Sequence, residues 1–322
     1  MDIEAIKVRL DAVSKGRASA PRVKDGVLTL VLDVGGLSAD QRTVMEAAVK
    51  AEFRRDPEVS EVRIVMTAEK TALRILAVGS GKGGVGKSTL SANLAVALKK
   101  LGYKVGLVDA DIYGPSLPRL MGNEGVRPEA EDKHLIPVMS GLGIPMLSMG
   151  HLAQPGQAIA WRGPMAGNAL GQLIDAKWDG IDLLVVDMPP GTGDIQLTMI
   201  QKYKPTGAVI VSTPQDLALI DATRAVALFE QANVPMVGLV ENMAGYVCPH
   251  CGELSDPFGK GGAQAAAVHM GLPFLGRIPL DMGIRKASDA GMPPAGESGE
   301  AAEPFMEIAA KVGRWLDNQR RG

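Results

Sequence analysis

Residues 81–88 read Gly-Lys-Gly-Gly-Val-Gly-Lys-Ser and match the phosphate-loop pattern G-x-x-x-x-G-K-[ST]. Glycines in this pattern let backbone N–H groups close around phosphate oxygens, while Lys87 supplies a cation to the β- and γ-phosphates and Ser88 a hydroxyl to Mg²⁺. The weaker dinucleotide pattern G-x-G-x-x-G also fits, but it leaves Lys87 and Ser88 without a role. The sequence therefore predicts a triphosphate–Mg²⁺ site. The predicted cradle consists of Gly81, Lys82, Gly83, Gly84, Val85, Gly86, Lys87, Ser88 and Thr89.

Three carboxylates follow two apolar runs. Asp109 and Asp111 come after one run and Asp187 after the other, so all three should emerge at the sheet edge beside the phosphate loop. A lone Asp after a strand usually forms a turn or a cap, but three in a chain with a phosphate loop favour ligands of Mg²⁺ and water. We predict Ser88, Asp109 and Asp187 as magnesium ligands, with Asp187 as the Walker B carboxylate. Residues 188–194, rich in Gly and Pro, are predicted to form a switch loop.

The chain has 2 cysteines, and Cys248-Pro-His-Cys251 places them in one C-x-x-C motif. Such a motif is compatible with a redox dithiol, a zinc half-site, an iron–sulfur half-site or two unliganded thiols. Zinc and [4Fe–4S] sites usually take four protein ligands, and a two-fold dimer would bring four thiolates together. His250 or His269 could instead complete a zinc site within one chain.

The elements that must position these residues alternate between short apolar runs and helical stretches from Ile75 onward. This alternation is typical of a parallel sheet wrapped by helices, and ligands bind such sheets beyond the carboxyl ends of the strands. We predict an α/β P-loop NTPase domain with a mostly parallel sheet over residues 71–322, ending in a helix that docks on the core. The predicted strands are Ile75–Val78, Val105–Val108, Leu183–Val186, Ala208–Val211 and Met236–Val240.

Residues 1–70 have a different pattern. Ile3, Ile6, Leu10 and Val13 recur at helical spacing, and residues 39–53 form a second helix-like stretch. Residues 27–34 and 61–66 read as strands. These features predict a small α+β domain before a short polar linker.

The composition limits the classes of function. The chain has 322 residues, 46% apolar and 22% charged, with a formal net charge of −2. This balance is typical of a globular protein and argues against bulk nucleic-acid binding, which needs a basic surface. No stretch reaches the ~18 apolar residues of a membrane span, and the first residues do not read as an export signal. Because only two close cysteines are present, we predict a cytoplasmic protein. The net charge and the lack of a spanning stretch predict no nucleic-acid or membrane partner.

Lys82, a second lysine in the phosphate loop, resembles the deviant Walker A signature of dimerising ATPases. That group includes nitrogenase iron protein, the plasmid-partition and division-site ATPases, and the Mrp/ApbC iron–sulfur cluster carriers. The chain resembles the Mrp/ApbC carriers over most of residues 75–300. The shared motifs are Asp109-Ala-Asp111-Ile-Tyr-Gly-Pro-Ser, Trp161-Arg-Gly-Pro-Met, Asp187-Met-Pro-Pro-Gly-Thr-Gly-Asp194, Ser212-Thr-Pro-Gln, Glu241-Asn-Met and Cys248-Pro-His-Cys-Gly.

The resemblance implies an ATPase that holds a [4Fe–4S] cluster across a homodimer and transfers it to apo-proteins. It further implies that Lys82 reaches the partner subunit's nucleotide and that Asp111 positions the attacking water. Asn242 and the segment Pro214-Gln215 would line the base pocket. Without the resemblance, Asn242 reads as an ordinary turn residue.

Two expectations extend this interpretation. Nucleotide state is expected to alter dimer geometry through residues 109–116 and 187–194, and so the hold on the cluster. The N-terminal domain resembles one often fused to these carriers, yet residues 1–70 contain no cysteine. A docking or stabilising role is therefore expected for it.

Two other functions remain open from the residues. A DNA- or membrane-positioning ATPase of the partition or division-site type would leave the C-x-x-C motif without a purpose. In a zinc-bridged dimeric scaffold the cysteines would bind zinc, but ATP hydrolysis would have no role. Metal analysis of protein isolated without oxygen separates the scaffold from the carrier.

Overall fold

The computed structural model describes residues 3–319 except 36, 38, 55, 68–72, 153–162 and 249. The chain forms two compact units, Met1–Ala72 and Leu73–Gly322. Trp161 and Arg162 of the predicted motif, the linker residues 68–72 and Pro249 of the C-x-x-C motif lie outside the described residues. Among the described helices, none has the length and apolar character needed to cross a membrane.

The N-terminal unit is a three-stranded sheet with two helices. Its elements are α1 (Ile3–Ser14), β1 (Ala18–Lys24), β2 (Val27–Asp33), α2 (Ala39–Phe53) and β3 (Glu61–Thr67). The order is β1-β2-β3, antiparallel between β1 and β2 and parallel between β2 and β3. Alternate residues of β2 are buried, and Leu28, Leu30 and Leu32 pack with Ile6 and Phe53 in the core of this unit.

Strand β1 was not predicted from the sequence. Its residues, Ala-Ser-Ala-Pro-Arg-Val-Lys, are mostly polar or small and include Pro21, which argues against a strand interior. The strand lies at the sheet edge, and its pairing with β2 shifts between Ser19 and Arg22. An edge strand with an irregular register tolerates a proline because the lost N–H is not needed there.

The larger unit is built on an eight-stranded sheet of order β15-β12-β11-β4-β10-β5-β9-β8, parallel except for β8. Its first half contains β4 (Arg74–Gly79), α3 (Lys87–Lys100), β5 (Val105–Asp109), α4 (Leu117–Leu120), β6 (Ala130–Glu131), β7 (His134–Leu135), β8 (Val138–Met139), β9 (Pro145–Ser148), α5 (Met149–Leu152) and α6 (Gly163–Ile174). Its second half contains β10 (Leu183–Asp187), α7 (Asp194–Thr198), a π-helical turn (Met199–Tyr203), β11 (Gly207–Ser212), α8 (Asp216–Gln231), β12 (Met236–Asn242), β13 (Tyr246–Val247), β14 (Leu254–Ser255), α9 (Gly262–His269), β15 (Phe274–Ile278), α10 (Met282–Asp289), a 3₁₀ turn (Pro294–Gly296) and α11 (Glu303–Asn318).

Helices cover both faces of this sheet. The side chains of α3 and α11 pack with Leu76, Leu107 and Val185 on one face. Those of α6 and α8 pack with Ala77, Leu184 and other strand residues on the opposite face. The predicted α/β class with a mostly parallel, helix-wrapped sheet is confirmed.

The strands run slightly longer than predicted, and this matters for the site. Asp109, Asp187 and Asn242 are the last residues of β5, β10 and β12 rather than loop residues. Register pairs Asp187 with Asp109 on one side and with Val78 on the other. A carboxylate that ends a strand is held more rigidly than one in a loop, because its backbone belongs to the ladder.

Candidate functional site

The predicted phosphate loop connects β4 to α3 at the carboxyl edge of the sheet. Two of its glycines have no room for a side chain. A Cβ at Gly81 would overlap the backbone of Asp221 in α8, and one at Gly86 would overlap the amide of Asn242. Gly86 also has φ 82°, a left-handed conformation that favours glycine, and it caps the N-terminus of α3. The loop therefore presents bare backbone at a helix N-terminus, where phosphate groups bind well.

Lys87 lies among carboxylates at the first turn of α3. Its Nζ is 2.8 Å from Oδ2 of Asp187 and 3.9 Å from Oδ2 of Asp111, and its side chain is 6% exposed. A buried ammonium requires such partners, since burial of an unpaired charge is costly. The lysine is consequently held within the pocket rather than extended into solvent.

Asp187 is the centre of a hydrogen-bond network. Ser88 Oγ donates to its Oδ2 at 2.5 Å, and Ser91 Oγ donates to its Oδ1 at 2.7 Å. The side chain of Asp187 is fully buried. Ser91 was not predicted from the sequence, although it lies one helical turn after Lys87 and so on the same helix face.

Asp109 anchors the backbone that follows it. Its Oδ1 accepts a hydrogen bond from the N–H of Asp111 at 3.1 Å, and its Oδ2 accepts from the N–H of Leu117 at 3.1 Å and from Ser148 Oγ at 3.0 Å. Burial, and then the neighbouring charge of Asp187, raise the pKa of Asp109 to about 7. Because both oxygens already hold donors of the chain, Asp109 acts in this structure as a support for residues 111–117.

Asp111 offers a freer carboxylate. Its Oδ1 accepts from the N–H groups of Tyr113 and Gly114 at 3.0 and 3.2 Å, while its Oδ2 is turned towards Lys87. One oxygen thus shapes the loop and the other faces the predicted phosphate site.

The predicted switch loop is held by a side chain that sequence analysis missed. Gln196 Nε2 donates to the carbonyls of Pro189, Pro190 and Gly191 at 2.7, 3.1 and 3.3 Å. The N–H of Gly191 donates to the carbonyl of Ser80 at 3.0 Å, which ties the switch loop to the phosphate loop. Gln196 is 3% exposed, so a motion of the switch loop must break or carry these bonds.

The predicted base-pocket residues also contact the phosphate loop. Asn242 Nδ2 donates to the carbonyl of Val85 at 2.8 Å. Gln215 Oε1 accepts from Lys82 Nζ at 3.4 Å, so the lysine predicted to cross a dimer has a partner within its own chain. Pro214 is buried beside them.

The two cysteines lie at the end of a short hairpin formed by β13 and β14. The N–H of Cys248 donates to the carbonyl of Glu253, and the N–H of Gly252 donates back to the carbonyl of Cys248, both at 2.9 Å. Backbone N–H groups of Cys251 and then His250 lower the pKa of the Cys248 thiol. Cys251 is exposed, Cys248 is half-buried and neither forms a disulfide. This arrangement presents two thiols outward, with one biased towards the thiolate that binds metal.

Comparison with known proteins agrees with these features. A family model described as ParA, NUBPL iron-transfer P-loop NTPase, matches residues 71–313. The chain belongs to this family. The phosphate loop, the carboxylates and the cysteine hairpin described above all lie within the matched residues.

Several curated proteins are similar to most of this chain. An iron–sulfur cluster carrier protein of Haemophilus influenzae is 46% identical over 248 residues, which are 76% of this chain and 67% of that protein. One of the same description from Deinococcus radiodurans is 42% identical, over 88% of this chain and 83% of that protein. A mitochondrial iron–sulfur protein of Arabidopsis thaliana, required for NADH dehydrogenase, is 48% identical over 76% and 80%.

Two solved structures share the fold of this chain. A nucleotide-binding protein of Archaeoglobus fulgidus in complex with ADP has 41% identity and a TM-score of 0.63, covering 73% of this chain and 93% of that one. The cell-division ATPase MinD of Pyrococcus furiosus has a TM-score of 0.56 at 23% identity, covering 76% and 99%. The second likeness shows the fold alone.

Proposed function

We propose that this protein is an ATP-hydrolysing carrier of iron–sulfur clusters. It holds a labile [4Fe–4S] cluster between the C-x-x-C motifs of two subunits and transfers it to apo-proteins in the cytoplasm, with no nucleic acid or membrane as partner. Hydrolysis is coupled to loading or release of the cluster. The names of the curated relatives and the outward-facing thiol pair support this proposal together.

The donors around the phosphate loop suit ATP and Mg²⁺. Lys87 is a buried cation at the N-terminus of α3, where the β- and γ-phosphates of a bound nucleotide would lie. The hydroxyl of Ser88 and the carboxylate of Asp187 are oxygen ligands of the kind that Mg²⁺ prefers. These two residues would hold the metal, which neutralises phosphate charge, while Asp109 would contribute through the loop that it supports.

Hydrolysis requires a group that orients water and a cation that stabilises the charge of the transition state. Asp111 is proposed for the first task because its Oδ2 faces the phosphate loop beside Lys87. Lys82 is proposed for the second, reaching the nucleotide of a partner subunit. In the single chain its ammonium contacts Gln215, and a bond of 3.4 Å to a neutral amide is weak enough to be exchanged for phosphate.

The thiol pair of Cys248 and Cys251, one half-buried and one exposed, carries the proposal for the cluster. One chain supplies two thiolates, whereas a [4Fe–4S] cluster usually takes four. Within the described residues no group of three or more His, Cys, Asp or Glu side chains is placed to hold a metal ion. A two-fold dimer that brings two hairpins together supplies the missing ligands. Val247 and Leu254, which are 59% and 60% exposed on the same hairpin, are suited to an apolar contact around the cluster.

Anaerobic reconstitution with iron and sulfide tests the carrier function. Wild-type protein should become a dimer containing about four irons, with thiolate-to-iron absorption that is lost in Cys251→Ala. Ser255→Ala, on the same hairpin but without a thiol, serves as the matched control and should load normally. Wild-type protein that takes up zinc but no cluster would instead indicate a zinc-bridged scaffold.

A further inference from the structure

The segment that carries the cysteines is held at its base by one residue of β12 and one of β15. We define the cysteine loop as residues 243–262 without 249; it starts after Asn242 at the end of β12 and ends where α9 begins. On the outgoing side, the N–H of Ala244 donates to the carbonyl of Ile278 at 3.0 Å. On the returning side, the N–H of Ala263 donates to Oε2 of Glu241 at 2.8 Å. The two ends are therefore held at the carboxyl ends of the neighbouring strands β15 and β12.

Glu241 is a fully buried carboxylate with partners on both oxygens. Its Oε1 accepts from Arg277 Nε at 2.9 Å, and the same guanidinium donates through Nη2 to Oε1 of Gln264 at 2.5 Å. Its Oε2 lies at the N-terminus of α9, where a negative charge is favourable. Glu241 thus fixes the start of α9 against β12 and β15 through a charged contact in which the carboxylate is buried and the arginine side chain is 43% exposed.

Asn242 faces the opposite way, as consecutive strand residues do. Its side chain lies on the sheet face of α3 and binds the carbonyl of Val85 in the phosphate loop. The end of β12 consequently holds two loops at once: Glu241 holds the return of the cysteine loop, and Asn242 holds the peptide on which the cradle depends. A shift of the Val85 carbonyl reaches Glu241 across a single peptide unit.

A second contact joins the same two loops. A Cβ at Gly262 would lie 2.5 Å from the carbonyl oxygen of Pro214, which shows how closely the end of the cysteine loop packs on this segment. The next residue, Gln215, is the intrachain partner of Lys82. The base of the cysteine loop is thus linked to the phosphate loop twice. One link runs through Glu241 and Asn242, and the other through Gly262 and the segment Pro214-Gln215.

We propose that Glu241 is a positioning residue that couples occupancy of the phosphate loop to the placement of the two cysteines. The inference rests on the proposed function, since it assumes that the loop binds nucleotide and that the thiols are the working end. Nucleotide fixes the loop at Val85, Asn242 passes the change to the end of β12, and Glu241 passes it to the start of α9. The bonds of Glu241 to Arg277 and to the N–H of Ala263 hold the end of β12 to the start of α9.

The bonds of Glu241 to Ala263 and Arg277, which we call the clamp, indicate which substitutions should weaken it. Ala263 and Arg277 bond different oxygens of Glu241, and glutamine replaces one of these oxygens with an NH₂ donor, so Glu241→Gln loses the acceptor for one of the two partners. Arg277→Gln opens the same clamp from the other side and tests it if Glu241→Gln folds poorly. Arg285→Gln is the matched control, because Arg285 pairs only with Asp289 on the surface of α10 in the described contacts.

The test uses the 2 cysteines of the chain as their own probe. The rate of alkylation by N-ethylmaleimide is measured at fixed pH in cluster-free full-length protein, alone and with saturating MgADP or a non-hydrolysable ATP analogue. Nucleotide affinity is measured in parallel with a fluorescent nucleotide. In wild type and in Arg285→Gln, nucleotide should change the rate by about fivefold or more, a coupling of ordinary size.

In Glu241→Gln and Arg277→Gln the nucleotide effect should shrink to less than about twofold while nucleotide affinity stays close to wild type. An effect that persists in both folded variants would overturn the proposal, as would a wild-type rate that ignores bound nucleotide. Loss of nucleotide binding in Glu241→Gln would also overturn it, since Glu241 would then belong to the binding site. Failure of the wild type to load a cluster leaves this measurement intact and counts against the carrier function alone.

Discussion

Asp109 and Asp187 end neighbouring parallel strands in register, and both side chains are fully buried, yet they hold different parts of the site. Asp187 binds the hydroxyls and the ammonium of α3, whereas Asp109 binds the backbone after β5. One carboxylate therefore lies in the proposed metal and phosphate region, and the other holds the backbone that carries Asp111. Burial, and after it the charge of the nearby Asp187, raise the pKa of Asp109.

The first prediction concerns pH. The pKa of Asp109 is about 7 in the folded chain and about 4 in an unfolded one, so between these values the folded state binds more protons. Ionisation of Asp109 therefore lowers the free energy of unfolding as pH rises from about 4 to about 7. Asp109→Asn lacks this ionisation, so the free energy of unfolding of the wild type should fall relative to that of the variant as pH rises towards 7. Urea unfolding at several pH values measures it; a difference that is constant with pH would contradict the assignment.

The second prediction concerns Lys87. Lys87→Ala should abolish nucleotide binding, because the site loses its buried cation while the carboxylates of Asp187 and Asp111 remain. Isothermal titration with MgATP measures the loss. Lys100→Ala, at the exposed end of the same helix, should bind normally. Equal affinity in the two variants would exclude Lys87 from phosphate binding.

The third prediction separates Lys82 from Lys87. If Lys82 acts on the partner subunit's nucleotide, Lys82→Ala should lower the turnover number by about a hundredfold or more while affinity falls far less. Mixing Lys82→Ala with an Asp111→Ala variant should restore part of the activity in mixed dimers. A Lys82→Ala variant that hydrolyses ATP at the wild-type rate would show that the lysine has no role in hydrolysis and would contradict its action on the partner subunit's nucleotide.

The fourth prediction concerns Ser91. Ser91→Ala removes the donor to Oδ1 of Asp187 and leaves a buried carboxylate oxygen without that partner, which should cost about 1–3 kcal/mol of stability. The Mg²⁺ concentration needed for half-maximal turnover should rise as Asp187 loses its orientation. Thr223→Ala is the control. The hydroxyls of Ser91 and Thr223 each bond the carbonyl four residues earlier, but in the described contacts only that of Ser91 also bonds a carboxylate. Thermal melting and a magnesium titration distinguish the two.

Much of this architecture was predictable because the signals are local. The glycine spacing, the apolar runs and the C-x-x-C motif each specify a conformation or a ligand set within a few residues. The sequence also indicated that Asp109, Asp111 and Asp187 meet at one sheet edge, since parallel strands share a carboxyl end. The fold class and the family followed from these features.

The missing parts depend on contacts between distant segments. The role of Gln196 depends on the fold, which places its amide within hydrogen-bonding distance of three carbonyl oxygens. No spacing in the sequence marks a glutamine for that role. Asp109 and Asp187 hold different parts of the site in part because Ser148 donates a hydrogen bond to Asp109. Ser148 lies on a strand that was not predicted. Strand β1 was missed because an edge position relaxes the composition on which strand prediction rests.

Gly86 gives the phosphate loop a dependence on a remote part of the chain. Any side chain at this position would occupy the space of the Asn242 amide, so the two residues restrict each other's variation although they lie on different elements. A phosphate loop transplanted into another α/β scaffold would consequently need more than its own eight residues. The new scaffold would also need a strand that ends in a side-chain amide placed as Asn242 is here. Without that amide, the transplanted residues would keep the motif but would not adopt this loop conformation.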